Sequence, residues 1–157
     1  MRKYRKVAVG GTFDTLHTGH TKLLFTALTH GERVLVGITS DEFAQAYKAY
    51  RVKPLKVRIL NLRGLIKELG GSEDSVVIDV INDPYGPTIV DPSIDAIVVS
   101  LETLPRALEI NNLRRERGLR PLHIIVVPII RDGFGNKVSS TLIRERTGTT
   151  DLGSAKS

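Results

Sequence analysis

His17 and His20 stand three residues apart, so on a helix they share one face. They follow the segment VAVGGTFD, Val7 to Asp14. Val7, Ala8 and Val9 form a short apolar run, the pattern of a strand buried on both faces. Gly10 and Gly11 mark a place where backbone turns sharply or comes close to a ligand. Thr12 and Asp14 put polar groups at that strand's carboxyl end. A helix starting near His17 offers free N–H groups and the positive end of its dipole, both of which favour an anion. Two imidazoles beside it can donate hydrogen bonds to phosphate oxygens. An isolated HxxH pair is equally the mark of surface or capping histidines. The strand and paired glycines before it favour the phosphate site. A zinc pair is disfavoured, because the chain has no cysteine and His30 and His123 lie outside the motif. No metal ligands are therefore assigned.

A second group of polar residues lies near the other end. Ser139, Ser140 and Thr141 are hydroxyls at the start of a predicted helix, with Arg144 and Arg146 on its next turns. Hydroxyls, free N–H groups and guanidinium make a cradle for β and γ phosphates, though three hydroxyls are also a simple helix cap. Asp132, Gly133, Gly135 and Lys137 form the loop before it, and Arg131 either reaches the phosphates or is solvated.

The elements that must position these residues alternate. Strands are predicted at 7–9, 33–38, 75–81, 95–99 and 123–130, with Pro128 near the end of the last. Leu16, Leu23, Leu24 and Ala27 give the first helix an apolar stripe. Ser40 and Asp41 cap a helix to about residue 49. Pro54 sits in the first turn of a helix reaching about Leu69, closed by Gly70 and Gly71. Thr103 caps a helix with Pro105 near its start, ending at Gly118. Asn82 to Thr88, NDPYGPT, reads as a loop. Such alternation predicts an α/β fold: a Rossmann-like, doubly wound parallel sheet of five strands, order 3-2-1-4-5, with helices on both faces. Ligands of such sheets bind beyond the strands' carboxyl ends, where the order reverses. GGTFD, SLET (Ser100 to Thr103) and the segment from Arg131 to Thr141 all fall there.

The chain has 157 residues and reads as one domain, with an ordered core of about 5–146 and a mobile small, polar tail from 148 on. No apolar run suffices to cross a bilayer. The basic amino end leads straight into a strand, so no signal peptide is expected. The absence of cysteine fits a cytoplasmic protein. One methionine, no tryptophan and abundant arginine point to a thermophile. The net charge of +6 raises nucleic acid as a partner, but no basic stripe is interleaved with aromatics. A polyphosphate substrate is the preferred reading. No signal of oligomeric state is present.

GTFDTLHTGH resembles the T/HxGH signature of the nucleotidyltransferase superfamily, and VSSTLIR resembles its ISSTxIR signature. From about Lys6 to Arg146 the chain is similar to phosphopantetheine adenylyltransferases of the archaeal type. That resemblance implies transfer of AMP from ATP to 4′-phosphopantetheine, giving dephospho-CoA and pyrophosphate in coenzyme A biosynthesis. It implies an in-line displacement with Mg²⁺ accompanying ATP and no covalent enzyme intermediate. His20 is implied at the α-phosphate with His17 beside it; bacterial enzymes of this activity often lack the first histidine. Thr12 would bind the acceptor phosphate or α-phosphate, with Gly11 and Phe13 on the ATP side. Lys48, or else Lys53, would hold the acceptor phosphate. The rival reading of the basic run Lys48, Arg51, Lys53, Lys56 and Arg58 is a solvated face. Glu102, Thr103, Ile110, Asn111 and Arg114 match the adenosine side; Glu109 matches less well and reads as an exposed acid. Arg115 and Arg117 read as solvated. Asp83, Tyr85, Gly86 and Thr88 would form the pantetheine side. Ser139, Ser140, Thr141 and Arg144 would take the leaving pyrophosphate, and Asp14 would approach magnesium or serve the turn. The partners implied are small molecules, with neither membrane nor nucleic acid.

Three relatives within the superfamily compete. Nicotinamide mononucleotide adenylyltransferases carry arginine where Thr12 stands. Glycerol-3-phosphate cytidylyltransferases and FAD synthetases share GTFDxxHxGH, but the former carry an RTxGISTT segment that this chain lacks. SLET and NDPYGPT match the archaeal pantetheine enzymes. The alternative of another class is a non-catalytic Rossmann-like module for nucleotide or RNA.

Overall fold

The computed structural model describes residues 2–48, 50–128, 130–131 and 137–138. Strands β1 (Tyr4–Gly11), β2 (Gly31–Thr39), β3 (Val76–Ile81), β4 (Ala96–Ser100) and β5 (His123–Val127) form one sheet in the order β3-β2-β1-β4-β5. Every pairing in it is parallel. This is the expected topology, and the order reverses between β1 and β4. A separate antiparallel pair joins β6 (Ile130–Arg131) to β7 (Lys137–Val138). The helices are α1 (Thr18–His30), α2 (Asp41–Ala46), α3 (Leu55–Glu68) and α4 (Leu104–Glu116).

Strand alternation divides the core in two. Val7, Val9, Val34, Val36, Ile38, Ala96 and Val98 face α1 and α3, meeting Leu24, Ala27, Leu62 and Ile66. Ala8, Leu35, Ile97 and Val99 face the other way, against α4 through Ala107 and Ile110. Both layers exclude water, so all the central strands read as apolar runs.

Boundaries differ from the expected ones for local reasons. β1 begins at Tyr4, because Arg5 and Lys6 lie at the sheet's solvated amino edge, where Lys6 Nζ meets Asp91 Oδ2 at 2.8 Å. β2 follows α1 with no intervening loop. α2 stops at Ala46, and Gln45 is then used to tie the following loop, accepting from Val52 N at 3.0 Å and donating to Tyr50 O at 2.9 Å. β5 ends at Val127, since Pro128 brings no N–H to a ladder. The 82–88 loop contains a 3₁₀ turn, Gly86–Ile89, with Gly86 at φ 55°.

Candidate active site

The carboxyl ends of β2, β1 and β4 open a crevice that includes the order reversal between β1 and β4. Gly10 and Gly37 pair in register on the α4 side, removing side chains where a floor is needed. The resulting cavity has a volume of about 520 Å³, within the range of ligand pockets. Gly11, Thr12, Thr39 and Lys48 line it near the strand ends. Phe43, Tyr47, Ile81, Pro84, Tyr85 and Pro87 form an apolar wall, and Glu102, Thr103, Arg106, Glu109 and Ile110 stand opposite.

Phe13 has φ 54°, the left-handed region that costs a bulky residue about 1–3 kcal/mol. Its ring is 1% exposed, and burying a phenylalanine offsets that cost with about 1.5–3 kcal/mol. A Cβ on Gly11 would lie 3.3 Å from this ring, so the second glycine leaves room for Phe13 as well as for a ligand. Phe13 packs against His20 with ring centroids 5.2 Å apart, and His20 against His17 at 4.0 Å. Phe13 is thus a support beneath the turn, and its side chain does not line the cavity.

His17 is the N-cap of α1. Its Nδ1 accepts from Gly19 N at 3.0 Å, and its own backbone N donates to His20 Nδ1 at 3.3 Å. Both Nδ1 atoms therefore act as acceptors, which puts each ring's proton on Nε2. Fixing one ring nitrogen sets the role of the other. The pair flanks the cavity rather than lining it. β7 runs beside α1. Ser139, Ser140, Thr141, Arg144 and Arg146, with the loop residues Asp132, Gly133 and Gly135 and the tail, lie outside the described residues.

Thr12 lines the cavity, and its Oγ1 accepts from Thr39 Oγ1 at 3.2 Å. Of the two candidate lysines, Lys48 lines the cavity. Lys53 is held outside it, its N donating to Asp14 Oδ1 at 2.7 Å and its Nζ to Asp14 O at 3.2 Å. Asp14 thus serves the loop. Arg58, read from sequence only as part of a basic run, is 0% exposed. Its guanidinium donates to Lys53 O at 2.7 Å, Thr12 O at 3.1 Å, Thr39 O at 2.8 Å and Asp41 Oδ1 at 2.8 Å.

On the far wall, Glu102 and Thr103 line the cavity as placed by sequence. The Thr103 hydroxyl does not cap α4; it accepts from Ser100 N at 3.0 Å and closes the SLET turn. Asn111 and Arg114, expected on the adenosine side, do not line the cavity. Asn111 is latched to Leu122, donating to its O at 3.0 Å and accepting from its N at 2.7 Å. Arg114 is fully buried and donates to the carbonyls of Thr88 at 2.6 Å, Arg120 at 2.6 Å and Asp91 at 3.0 Å. Burial, then Arg120, pushes its pKa below the ordinary value. Asp83 is likewise spent on backbone, accepting from Tyr85 N at 2.9 Å and Gly86 N at 2.7 Å. Tyr85 keeps its place in the wall and donates to Glu109 Oε2 at 2.7 Å, while Arg106 Nε meets Glu109 Oε1 at 3.2 Å. That hydrogen bond, then burial and the charge of Glu109, raises the Tyr85 hydroxyl above its ordinary 10.0. Glu109 is thus part of the cavity rim.

A glycine-floored crevice at a parallel sheet's order reversal, flanked by a capped HxxH helix, is suited to phosphates. The model of the cytidylyltransferase-like family matches residues 8–146, which spans all of these parts. The chain belongs to this family. Among relatives within it, a phosphopantetheine adenylyltransferase of Pyrobaculum aerophilum is 51% identical over 90% of this chain and 91% of its own. One from Methanopyrus kandleri is 49% identical over 92% of this chain and 91% of its own. A crystal structure of a protein of unknown function from Archaeoglobus fulgidus superposes with TM-score 0.71 at 39% identity, covering 78% of this chain and 88% of that one. Pantothenate synthetase from Thermus thermophilus shares the fold at TM-score 0.54 and 15% identity, over 91% of this chain and 67% of that one. Among the described residues no group of three His, Cys, Asp or Glu is placed to hold a metal ion, and no helix is long and apolar enough to cross a membrane.

Proposed function

We propose that the protein is a pantetheine-phosphate adenylyltransferase, moving AMP from ATP to 4′-phosphopantetheine in coenzyme A biosynthesis. One phosphate oxygen of the acceptor bonds to the α-phosphorus. The bond from that phosphorus to the α–β bridging oxygen breaks, and its electron pair leaves with pyrophosphate. His20 donates from Nε2 to an α-phosphate oxygen, where charge grows in the transition state. His17 holds His20 through its backbone N–H and faces the neighbouring phosphate. The Thr12 hydroxyl and Lys48 meet the acceptor phosphate; Glu102, Thr103 and Ile110 border the adenosine; Tyr85 and the apolar wall take the pantetheine arm. Ser139, Ser140, Thr141 and Arg144 take the leaving pyrophosphate, a role resting on the ISSTxIR resemblance. Mg²⁺ would enter with ATP as part of the substrate and would neutralise charge on its phosphates. The reading places the enzyme in the cytoplasm, with ATP and 4′-phosphopantetheine as its partners.

One observation carries the reading: the Nδ1 of both histidines is held by backbone N–H, so Nε2 is a donor in each ring. The test is product identification with MgATP or MgCTP against 4′-phosphopantetheine, nicotinamide mononucleotide, glycerol 3-phosphate and FMN. Dephospho-CoA with stoichiometric pyrophosphate is the expected outcome. Turnover with another acceptor instead would reassign the enzyme, and tight RNA binding without turnover would make it a binding module.

A further inference from the structure

Thr39 and Arg58 belong to no motif, yet both are buried against the residue expected to meet a phosphate. Thr39 is the last residue of β2 and is 7% exposed; Arg58 lies in the first turn of α3 and is 0% exposed. A single nitrogen, Arg58 Nη1, donates to the carbonyls of Thr12 and Thr39 together, at 3.1 and 2.8 Å. Nε holds Lys53 O, and Nη2 holds Asp41 Oδ1, which also accepts from Leu55 N at 2.9 Å. One guanidinium thus clamps the carboxyl ends of β1 and β2 to the amino ends of α2 and α3. Above the clamp the two threonine side chains meet, Thr39 donating to Thr12 Oγ1.

A hydroxyl has one proton and two lone pairs. When Thr39 fills one lone pair of Thr12, the proton of Thr12 must point away from Thr39. Thr12 lines the cavity, and a phosphate oxygen there can only accept. We propose that Thr39 and Arg58 are positioning residues for the transfer. Arg58 locks the Thr12 main chain in place, and Thr39 forces the Thr12 hydroxyl to be the donor that a phosphate requires. This rests on the adenylyltransferase reading and adds to it two residues that act through Thr12. An arginine is needed because its planar fork reaches three carbonyls and a carboxylate at once, which an ammonium cannot match.

The experiment is a double-mutant cycle on pyrophosphate release with MgATP and 4′-phosphopantetheine, using Thr12→Val, Thr39→Val and both together. Loss of a residue that orients a binding group costs about 10–100-fold. Thr39→Val is expected to lower kcat/KM for the acceptor about tenfold, with Thr39→Ser restoring it to within about threefold of wild type. The double variant is expected to be no worse than Thr12→Val alone, because Thr39 acts only through Thr12. Arg58→Lys, which keeps the charge but not the fork, is expected to fall by at least as much as Thr39→Val. Melting temperatures of all variants are compared, and merely structural damage would not produce the non-additivity or the serine rescue. Additive losses, an unimpaired Thr39→Val, or a Thr12→Val as active as wild type would each overturn the proposal. A wild type that releases no pyrophosphate would overturn the transferase reading and this proposal with it, whereas an active wild type beside an unimpaired Thr39→Val overturns this proposal alone.

Discussion

Two lysines five residues apart have different fates. Lys48 lines the cavity, whereas the Lys53 ammonium is tied to Asp14 O. A charge-assisted hydrogen bond is worth about 1.5–3 kcal/mol. Lys48→Ala should therefore raise KM for 4′-phosphopantetheine by about 10–100-fold, while Lys53→Ala, an exposed contact, should shift it by less than about threefold. Acceptor titrations at saturating ATP separate the two, and equal effects would reject the assignment. At this scale the sequence was most legible where side chains sit beside special backbone. Gly11, Thr12, His17 and His20 are read from one short stretch because turn, strand end and helix cap are all local. The backbone partners of Asn111, Arg114 and Asp83 were not legible: those of Leu122 and Thr88 are distant, and those of Tyr85 and Gly86 come from the turn's geometry. Residue type does not say whether an amide or carboxylate serves substrate or chain.

The helices explain why two arginines deceived. Arg58, Leu62 and Ile66 repeat every four residues along α3, and all three are buried. Ala107, Ile110, Asn111 and Arg114 do the same along α4 at spacings of three and four. Each arginine ends an apolar stripe, and that periodic position was the signal available in the sequence. Charge run and charge count obscured it. Each guanidinium then satisfies carbonyls of loops that would otherwise be buried unpaired. α4 is held to the strand that follows it by the Asn111–Leu122 latch. Asn111→Ala leaves the Leu122 N–H and C=O without these partners, and should cost about 2–3 kcal/mol. Urea unfolding would show this as a lower midpoint at constant m; a loss below about 0.5 kcal/mol would contradict the latch.

Across the molecule, strand order follows from connectivity: apolar strands alternating with helices admit few arrangements once crossovers are right-handed. The crevice is the consequence of that order, since helices leave β1 and β4 toward opposite faces. The opposite edge is rich in charge. Asp91 binds Lys6 at 2.8 Å and accepts from Ser93 N and Oγ. Burial alone would raise its pKa; the bonds from Lys6 and Ser93 outweigh this and hold it at about 2, below its ordinary 3.8. A carboxylate with a depressed pKa stabilises the fold above its ordinary value and loses that contribution as pH falls through the folded one. Asp91→Asn should thus lower stability by about 1 kcal/mol near neutrality, with the difference narrowing below about pH 4, only partly lost at about pH 2 and gone near about pH 1. Denaturation midpoints of both proteins across that window check it, and a gap independent of pH would refute it. The proposed transfer depends on donation from His20 to charge that appears only during it. The decisive measurement is kcat for dephospho-CoA formation by His20→Ala, alongside calorimetric ATP affinity. Removing one preorganised donor is expected to lower kcat by about 10²–10³-fold with ATP bound nearly as tightly. An unchanged kcat, or a loss confined to ATP affinity, would contradict it.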